Sequence, residues 1–125
     1  MDEREFKART KKFALDTIQV IQKLPRSRTT DIIAGQLLRS ATSVGANYRA
    51  ACRAKSPADM INKLKLVEEE SDESIYWLEL LRESGLLPVE ISEALEKEGC
   101  EILAMTVASI KTLRSRQSTL VNRQS

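Results

Sequence analysis

The sequence predicts an all-α protein: an antiparallel up-down-up-down four-helix bundle, formed as a single domain by residues 1–125. Three observations predict this fold. Glycine and proline are scarce, with four and three residues in the chain. Residues that favour helix, such as leucine, alanine, glutamate and lysine, are abundant, whereas aromatic residues make up only 4%. Apolar residues also recur in alternating steps of three and four along four segments that prolines separate.

The first two segments each predict one long helix. The first covers about residues 3–24 and ends before Pro25, and its apolar face consists of Phe6, Thr10, Phe13, Ala14, Thr17, Ile21 and Leu24. The second covers about residues 29–54, and its face consists of Leu37, Ala41, Val44, Tyr48 and Ala51. Ala41 and Gly45 lie one turn apart on this face. Such small residues predict a close approach between two helices.

The third segment, about residues 57–84, has clear signals at both ends. Ser56 and Pro57 are typical of a helix start, and Gly85 is typical of a helix end. The inward face is predicted to contain Ile61, Leu64, Val67, Ser71, Ile75, Leu78 and Leu81.

The fourth segment, about residues 88–117, follows Pro88 closely. Its predicted inward residues are Ile91, Leu95, Ile102, Thr106, Ile110 and Leu113. Residues from about 117 to 125 are mostly polar, and we expect them to form a frayed tail. Helices of similar length joined by short links run antiparallel to their neighbours, which gives the up-down-up-down order.

The sequence contains no residue pattern typical of a known catalytic or metal site. The chain has no histidine, which is the commonest general base and transition-metal ligand. The acidic run of residues 67–73 could suggest a carboxylate metal site, but bundle sites of that kind also use histidine. We therefore expect a solvated acidic face, or pairing of these acids with basic residues. Arg39, Ser43 and Asn47 lie one turn apart on the second helix and are predicted to bond to acids such as Glu69 or Glu73. No catalytic residue, metal or cofactor is predicted, and an enzyme is the least favoured class.

Two further features concern the environment of the chain. Cys52 and Cys100 are far apart in the sequence, so we expect two small buried apolar side chains and no disulfide. The charged N-terminal residues are unlike a secretory signal, and no uncharged stretch reaches the roughly 18 apolar residues of a membrane span. These features predict a cytoplasmic protein with no membrane contact.

Charge is distributed unevenly along the chain. Residues 1–56 carry 12 basic and 5 acidic residues, whereas residues 57–84 carry 3 and 8. The basic half predicts contact with RNA or DNA, first of all through Arg49, Arg53 and Lys55 at the end of the second helix. The alternative is that the basic and acidic parts neutralise each other within the bundle or across subunits. No aromatic residues alternate with the basic ones as a stacking platform would require.

The third helix also carries apolar residues away from its inward face, namely Leu66, Tyr76, Trp77 and Leu80. A helix with a second apolar face needs a second partner, which predicts a homo-oligomer interface with Trp77 as an anchor. Leu103 and Val107 widen the apolar stripe of the fourth helix in the same way. The alternative is that loops or the N-terminal segment cover these residues.

Several motifs resemble the four-helix-bundle proteins encoded in 23S ribosomal RNA intervening sequences. They are Leu24-Pro25, residues 36–51 (QLLRSATSVGANYRAA), Arg53-Ala54, Glu68-Glu69, residues 76–81 (YWLELL) and Ser84-Gly85-Leu86. The resemblance implies a four-helix bundle that assembles as a homopentamer. It also implies kinship with the accessory variability proteins of diversity-generating retroelements, which bind nucleic acid and a reverse transcriptase.

Two functional hypotheses follow. The first is a non-enzymatic oligomeric binding protein, in an accessory or adaptor role, that contacts RNA or DNA through its basic surface. The second is a protein-interaction module without nucleic-acid contact.

Overall fold

The computed structural model describes residues 2–124, with side chains for residues 2–119. This part of the chain forms the helices α1 (Glu3–Gln22), α2 (Arg28–Cys52), α3 (Pro57–Glu83) and α4 (Val89–Gln124). Each helix packs on the next one along the chain, and α1 also packs on α4, so that the helices surround one core. The predicted all-α four-helix bundle is confirmed.

Local sequence signals account for the helix ends. Ser27 and Ser56 are the N-caps of α2 and α3, and their hydroxyl oxygens accept the backbone N–H of Thr30 and Asp59 at 3.1 Å. Gly85 directly follows Ser84, the C-cap of α3, and has a φ of +80°. This conformation lets the N–H of Leu86 bond back to the carbonyl of Leu81 at 3.0 Å. The predicted start and end of the third helix are therefore confirmed.

The inward faces predicted for α2 and α3 are confirmed, because every residue named for them is buried. In α4 the prediction of Ile91 is wrong. Ile91 is 44% exposed, and the next residue, Ser92, is fully buried in its place. The hydroxyl of Ser92 lies 3.1 Å from the Leu78 carbonyl and 2.7 Å from Oε2 of Glu96, so a polar side chain is satisfied at this core position.

Residues 117–124, which were predicted to belong to a frayed tail, form the last two turns of α4, which ends at Gln124. No glycine or proline follows Gly99 to end the helix. Ser125 lies outside the described residues. Fraying of this segment in solution stays a prediction.

Small residues set the distance between helices at two points. A Cβ added to Gly45 of α2 would lie 3.4 Å from Oγ1 of Thr10 in α1. A Cβ added to Gly99 of α4 would lie only 3.0 Å from Cγ1 of Ile75 in α3. The close approach predicted at Gly45 is confirmed, and the closer one at Gly99 was not predicted.

Ion pairs join neighbouring helices along their outer edges. Arg39 of α2 binds Glu70 and Glu73 of α3, so the predicted cross-link exists with Glu73, while Glu70 takes the place expected for Glu69. The prediction is wrong for Ser43 and Asn47, because their side chains donate to carbonyls of α2 itself. Arg82 of α3 binds Glu96 of α4 at 2.8 Å. None of the helices in the described part of the chain contains an apolar stretch long enough to cross a bilayer.

Candidate nucleic-acid interface

The three basic residues predicted to contact nucleic acid lie together at the turn between α2 and α3. Arg49, Arg53 and Lys55 line one groove of about 840 Å³, and Lys63 of α3 faces them. Asp59 is the one acidic residue in this lining. The structure thus brings the predicted residues to one surface and adds a fourth cation to it.

The sequence of the turn fixes this arrangement. Arg49 lies in the last turn of α2 and Arg53 is the C-cap of this helix, so the two residues are about one helical turn apart on the same side. The turn closes because Ser56 caps α3 and the backbone N–H of Lys55 donates to Oδ2 of Asp59 at 3.2 Å. The carboxylate of Asp59 is thereby engaged with the backbone of the turn.

A second groove of about 540 Å³ continues from the first along the outer side of α1 and α2. The two share Ala46 and Arg49, and the second adds Lys7 and Lys11 from α1. We call the whole surface the basic groove and define it by six cations: Lys7, Lys11, Arg49, Arg53, Lys55 and Lys63. Lys7, Lys11 and Lys63 were not predicted. The antiparallel order could have indicated them, because it places the start of α1 and the start of α3 beside the end of α2.

Most cations of the basic groove have no acidic partner. Lys7 lies 3.4 Å from Glu3, but among the described side chains the other five have no carboxylate oxygen within 4.0 Å. The arginines that join helices, Arg9, Arg39 and Arg82, are each paired. Neutralisation within the bundle therefore uses other cations and leaves the groove positively charged.

The residues predicted for the oligomer interface divide into two pairs. Leu66 and Tyr76 are 39% and 53% exposed on the outer side of α3, and neither a loop nor the N-terminal segment covers them. Trp77 and Leu80 are half-buried. The indole ring of Trp77 packs against the core, and its Nε1–H lies 3.3 Å from Oε1 of Glu73. Leu66 and Tyr76 are therefore the accessible part of the predicted interface.

A shallow groove of about 330 Å³ lies between α3 and α4 on the outer side of the bundle. Leu103 and Val107 form its apolar part, and the carboxylates of Glu68, Glu69 and Asp72 surround them. Within the acidic run of α3, Glu69 and Asp72 are exposed beside these apolar residues of α4, as predicted, whereas Glu70 and Glu73 are partly buried and paired with Arg39.

The two cysteines differ from the prediction that both are buried. Cys52 is half-buried near the end of α2, whereas Cys100 is exposed, because α4 turns its Ser92–Gly99–Ile102 side toward the core. Burial, together with the nearby carboxylate of Glu3, raises the pKa of the Cys52 thiol. A raised pKa keeps the sulfur protonated at neutral pH and makes it a poor nucleophile. Within residues 2–119, no three cysteine, aspartate or glutamate side chains are grouped as metal ligands would be.

Comparisons with known proteins agree with the bundle fold. The family model described as 23S rRNA-intervening sequence protein matches residues 3–108. A crystal structure from Bacteroides thetaiotaomicron VPI-5482, described as a protein with unknown function from the S23 ribosomal protein family, has a TM-score of 0.82 and 34% identity to this chain. The similarity covers 89% of this chain and 99% of that one. No curated protein sequence matches the chain. The family match covers most of the chain, which therefore belongs to the 23S rRNA-intervening sequence protein family.

Proposed function

We propose that this member of the 23S rRNA-intervening sequence protein family is a non-enzymatic, oligomeric binding protein whose basic groove contacts the phosphate backbone of RNA or DNA. The observation that carries the proposal is the lack of acidic partners around the groove. Five of its six cations have no carboxylate within 4.0 Å among the described side chains. Phosphates that bind such a surface release counterions, which favours association with nucleic acid.

The arrangement of the acidic residues supports this proposal over neutralisation within the bundle. The chain has 18 acidic residues against 20 basic ones, so enough carboxylates exist to pair the groove. Five acids in the middle of α3 lie elsewhere: Glu70 and Glu73 pair with Arg39, and Glu68, Glu69 and Asp72 lie on the outer side near Leu103 and Val107. Asp59 is the one acid of α3 in the lining of the groove. Charge is separated across the surface of the bundle, which leaves the groove free for an anionic partner.

A salt titration of nucleic-acid binding tests the proposal. The labelled probe is a 24-nucleotide RNA or DNA, measured by fluorescence anisotropy. If five or six phosphates are contacted, the affinity should fall about 10²-fold between 50 and 200 mM salt for a single strand and about 10³-fold for a DNA duplex. The triple variant R49A/R53A/K55A should bind more weakly and with a shallower dependence on salt.

The matched control removes three charges elsewhere. Arg28, Lys65 and Lys97 are exposed, lie outside the basic groove and form no ion pair among the described side chains. The variant R28A/K65A/K97A therefore has the same net charge as the groove variant and should bind like the wild type. Equal losses in both variants, or no binding at 50 mM salt, would contradict the proposal.

The oligomeric part of the proposal is supported by the exposed apolar residues of α3. Leu66 and Tyr76 lie on the outer side of the helix, where a second copy of the chain can cover them. The resemblance noted from the sequence makes a homopentamer the expected assembly. Light scattering at micromolar concentration measures the mass directly, and a monodisperse monomer would remove this part of the proposal.

The alternative function is a protein-interaction module without nucleic-acid contact. The acidic groove of Glu68, Glu69 and Asp72 around Leu103 and Val107 favours it, because this surface complements a basic amphipathic helix. The resemblance to accessory variability proteins makes a reverse transcriptase a candidate partner. Co-purification with and without nuclease distinguishes the two functions. A protein partner that is retained after nuclease treatment, together with no binding in the anisotropy assay, would favour the alternative.

A further inference from the structure

The basic groove has no aromatic side chain in its lining. Phe6, Phe13 and Tyr48 are buried in the core, where the rings of Phe6 and Tyr48 are in edge contact. The other two aromatic residues, Tyr76 and Trp77, belong to α3 and contact each other at a centroid distance of 5.1 Å. Proteins that hold single strands stack bases on exposed aromatic rings, at about 1–3 kcal/mol per base. The groove lacks the interaction that favours unstacked bases.

The polar groups of the groove also offer little for reading base edges. Its cations are donors only, and neither asparagine nor glutamine is part of the lining. The hydroxyls of Thr10 and Thr42 donate to carbonyls of their own helices at 3.1 and 2.7 Å. The carboxylate of Asp59 accepts the N–H of Lys55. Such a set suits phosphate oxygens and has no acceptor free to receive the amino groups of adenine or cytosine. The arginines could donate to O6 and N7 of guanine, so the comparison of two duplex sequences decides whether that edge is read.

The cations are held in a fixed array by three packed helices. Lys7 and Lys11 are one turn apart on α1, as are Arg49 and Arg53 on α2, so each pair is separated by about 6 Å along its helix. A duplex presents its phosphates in rigid rows, with one charge per about 1.7 Å of its axis. A single strand must lose conformational freedom to match a fixed array, and it releases fewer counterions per contact.

From these three observations we infer that the basic groove binds double-stranded nucleic acid in preference to single strands, and that it does so without regard to base sequence. The inference rests on the proposed function and adds the class of nucleic acid to it. The recognised chemistry is the phosphodiester backbone of a duplex, which RNA and DNA share.

The test compares strands and duplexes in one assay with the full chain. The probes are a labelled 24-nucleotide RNA of low self-complementarity, its duplex with the complementary strand, a duplex of shuffled sequence, and the same set in DNA. At 50 mM salt the duplex should bind at least about fivefold more tightly than either strand, and its affinity should fall more steeply with salt. The two duplex sequences should agree within about twofold, since base contacts would separate them by more. The variant R49A/R53A/K55A should weaken duplex binding, whereas R28A/K65A/K97A should leave it unchanged.

The outcomes separate this inference from the proposed function. Single strands that bind as tightly as duplexes, or a difference of about tenfold between the two sequences, would overturn the inference. The proposed function would still stand in either case if the variant R49A/R53A/K55A bound these nucleic acids more weakly than the wild type. Absence of binding to every probe would overturn both. A duplex preference in either the RNA or the DNA set supports the inference, and the set with the higher affinity identifies the nucleic acid.

Discussion

Arg9 and Glu98 form a two-point ion pair between α1 and α4, with Nε to Oε2 and Nη2 to Oε1 both at 2.7 Å. The hydrogen bonds that Arg9 donates to Glu98 raise the pKa of Arg9, and Glu101 adds a second carboxylate at 3.3 Å. The contact between α1 and α4 is less extensive than that between the other neighbouring helices. This pair therefore connects the two helices that have the least other packing to hold them together.

Removal of the Arg9 guanidinium should weaken the contact between α1 and α4 and so reduce the stability of the bundle. The variant R9M keeps an apolar stem of similar length and removes both hydrogen bonds. Because both partners are about three-quarters buried, we expect the free energy of unfolding to fall by about 1–2 kcal/mol. Urea unfolding followed by circular dichroism measures the change. The control is K12M, which removes the exposed pair between Lys12 and Asp16 and should leave stability unchanged. Equal effects of the two substitutions would contradict the assigned role of Arg9.

Two glycines of the chain should respond in opposite directions to the same substitution. In G99A the new Cβ would lie 3.0 Å from Cγ1 of Ile75, which is buried and β-branched and so cannot easily move aside. We expect the unfolding free energy to fall by about 1–2 kcal/mol, because overpacking outweighs the gain in helix propensity. In G35A the Cβ meets nothing within 4 Å, so stability should rise by about 0.5–1 kcal/mol. A stabilised G99A protein would show that α3 and α4 can separate at little cost.

The positions of the helices were predictable because each helix obeys local rules. The spacing of apolar residues identified the inward faces of α2 and α3, and Ser56 and Gly85 identified the ends of α3. The failure at Ile91 has a tertiary cause. Gly99 sets the side of α4 that approaches α3, and Ser92 lies on that side while Ile91 does not. Spacing alone favours the larger apolar side chain of Ile91 over the neighbouring serine, and only the packing of α4 against α3 identifies Ser92 and Gly99 as core positions.

Glu96 should make part of the stability of the bundle dependent on pH. Burial raises the pKa of this carboxyl group, but hydrogen bonds from Arg82 and Ser92 outweigh it, so the pKa lies below its ordinary value of 4.5. As the pH falls, the carboxylate of Glu96 therefore takes up a proton at a higher pH in the unfolded chain than in the folded one. The stabilising contribution is therefore complete above pH 4.5 and is lost as the pH falls through the lower pKa of the folded state.

The variant E96Q tests this dependence. At pH 7 it should be less stable than the wild type by about 1–2 kcal/mol, since a charged hydrogen-bond acceptor is lost. The difference should shrink as the pH falls below 4.5, where the wild type loses the same interaction. Denaturant unfolding at a series of pH values gives both curves. The control E90Q changes an exposed acid that forms no ion pair among the described side chains. A constant difference between E96Q and the wild type across the pH range would refute the argument.

The candidate site was predictable only in part, because it is formed across helices. Arg49, Arg53 and Lys55 are close in the sequence, and their clustering could be read from it directly. Lys11 and Lys63 join them only through the packing of α1 and α3 on α2. Whether a cation is paired with an acid also depends on which way its helix is rotated about its own axis relative to the neighbouring helices, and a difference of a fraction of a turn changes the partner. Arg39 faces Glu70 and Glu73, whereas Arg49 on the same helix faces open groove.

The exposed apolar residues of α3 give the most direct test of self-association. The variant L66S/Y76S should keep the fold, because both side chains are exposed, and should weaken assembly by about tenfold or more, as loss of buried apolar anchors does. Trp77 is unsuitable for this purpose, since it packs against the core and its loss would also reduce stability. Ile32 is 58% exposed near the start of α2, at the opposite end of that helix from the basic groove, so I32S is a matched control that should assemble like the wild type. Light scattering over a range of concentrations measures the mass, and circular dichroism checks the fold of each variant. A wild-type mass retained by L66S/Y76S, or dissociation caused equally by I32S, would show that assembly does not use this face of α3.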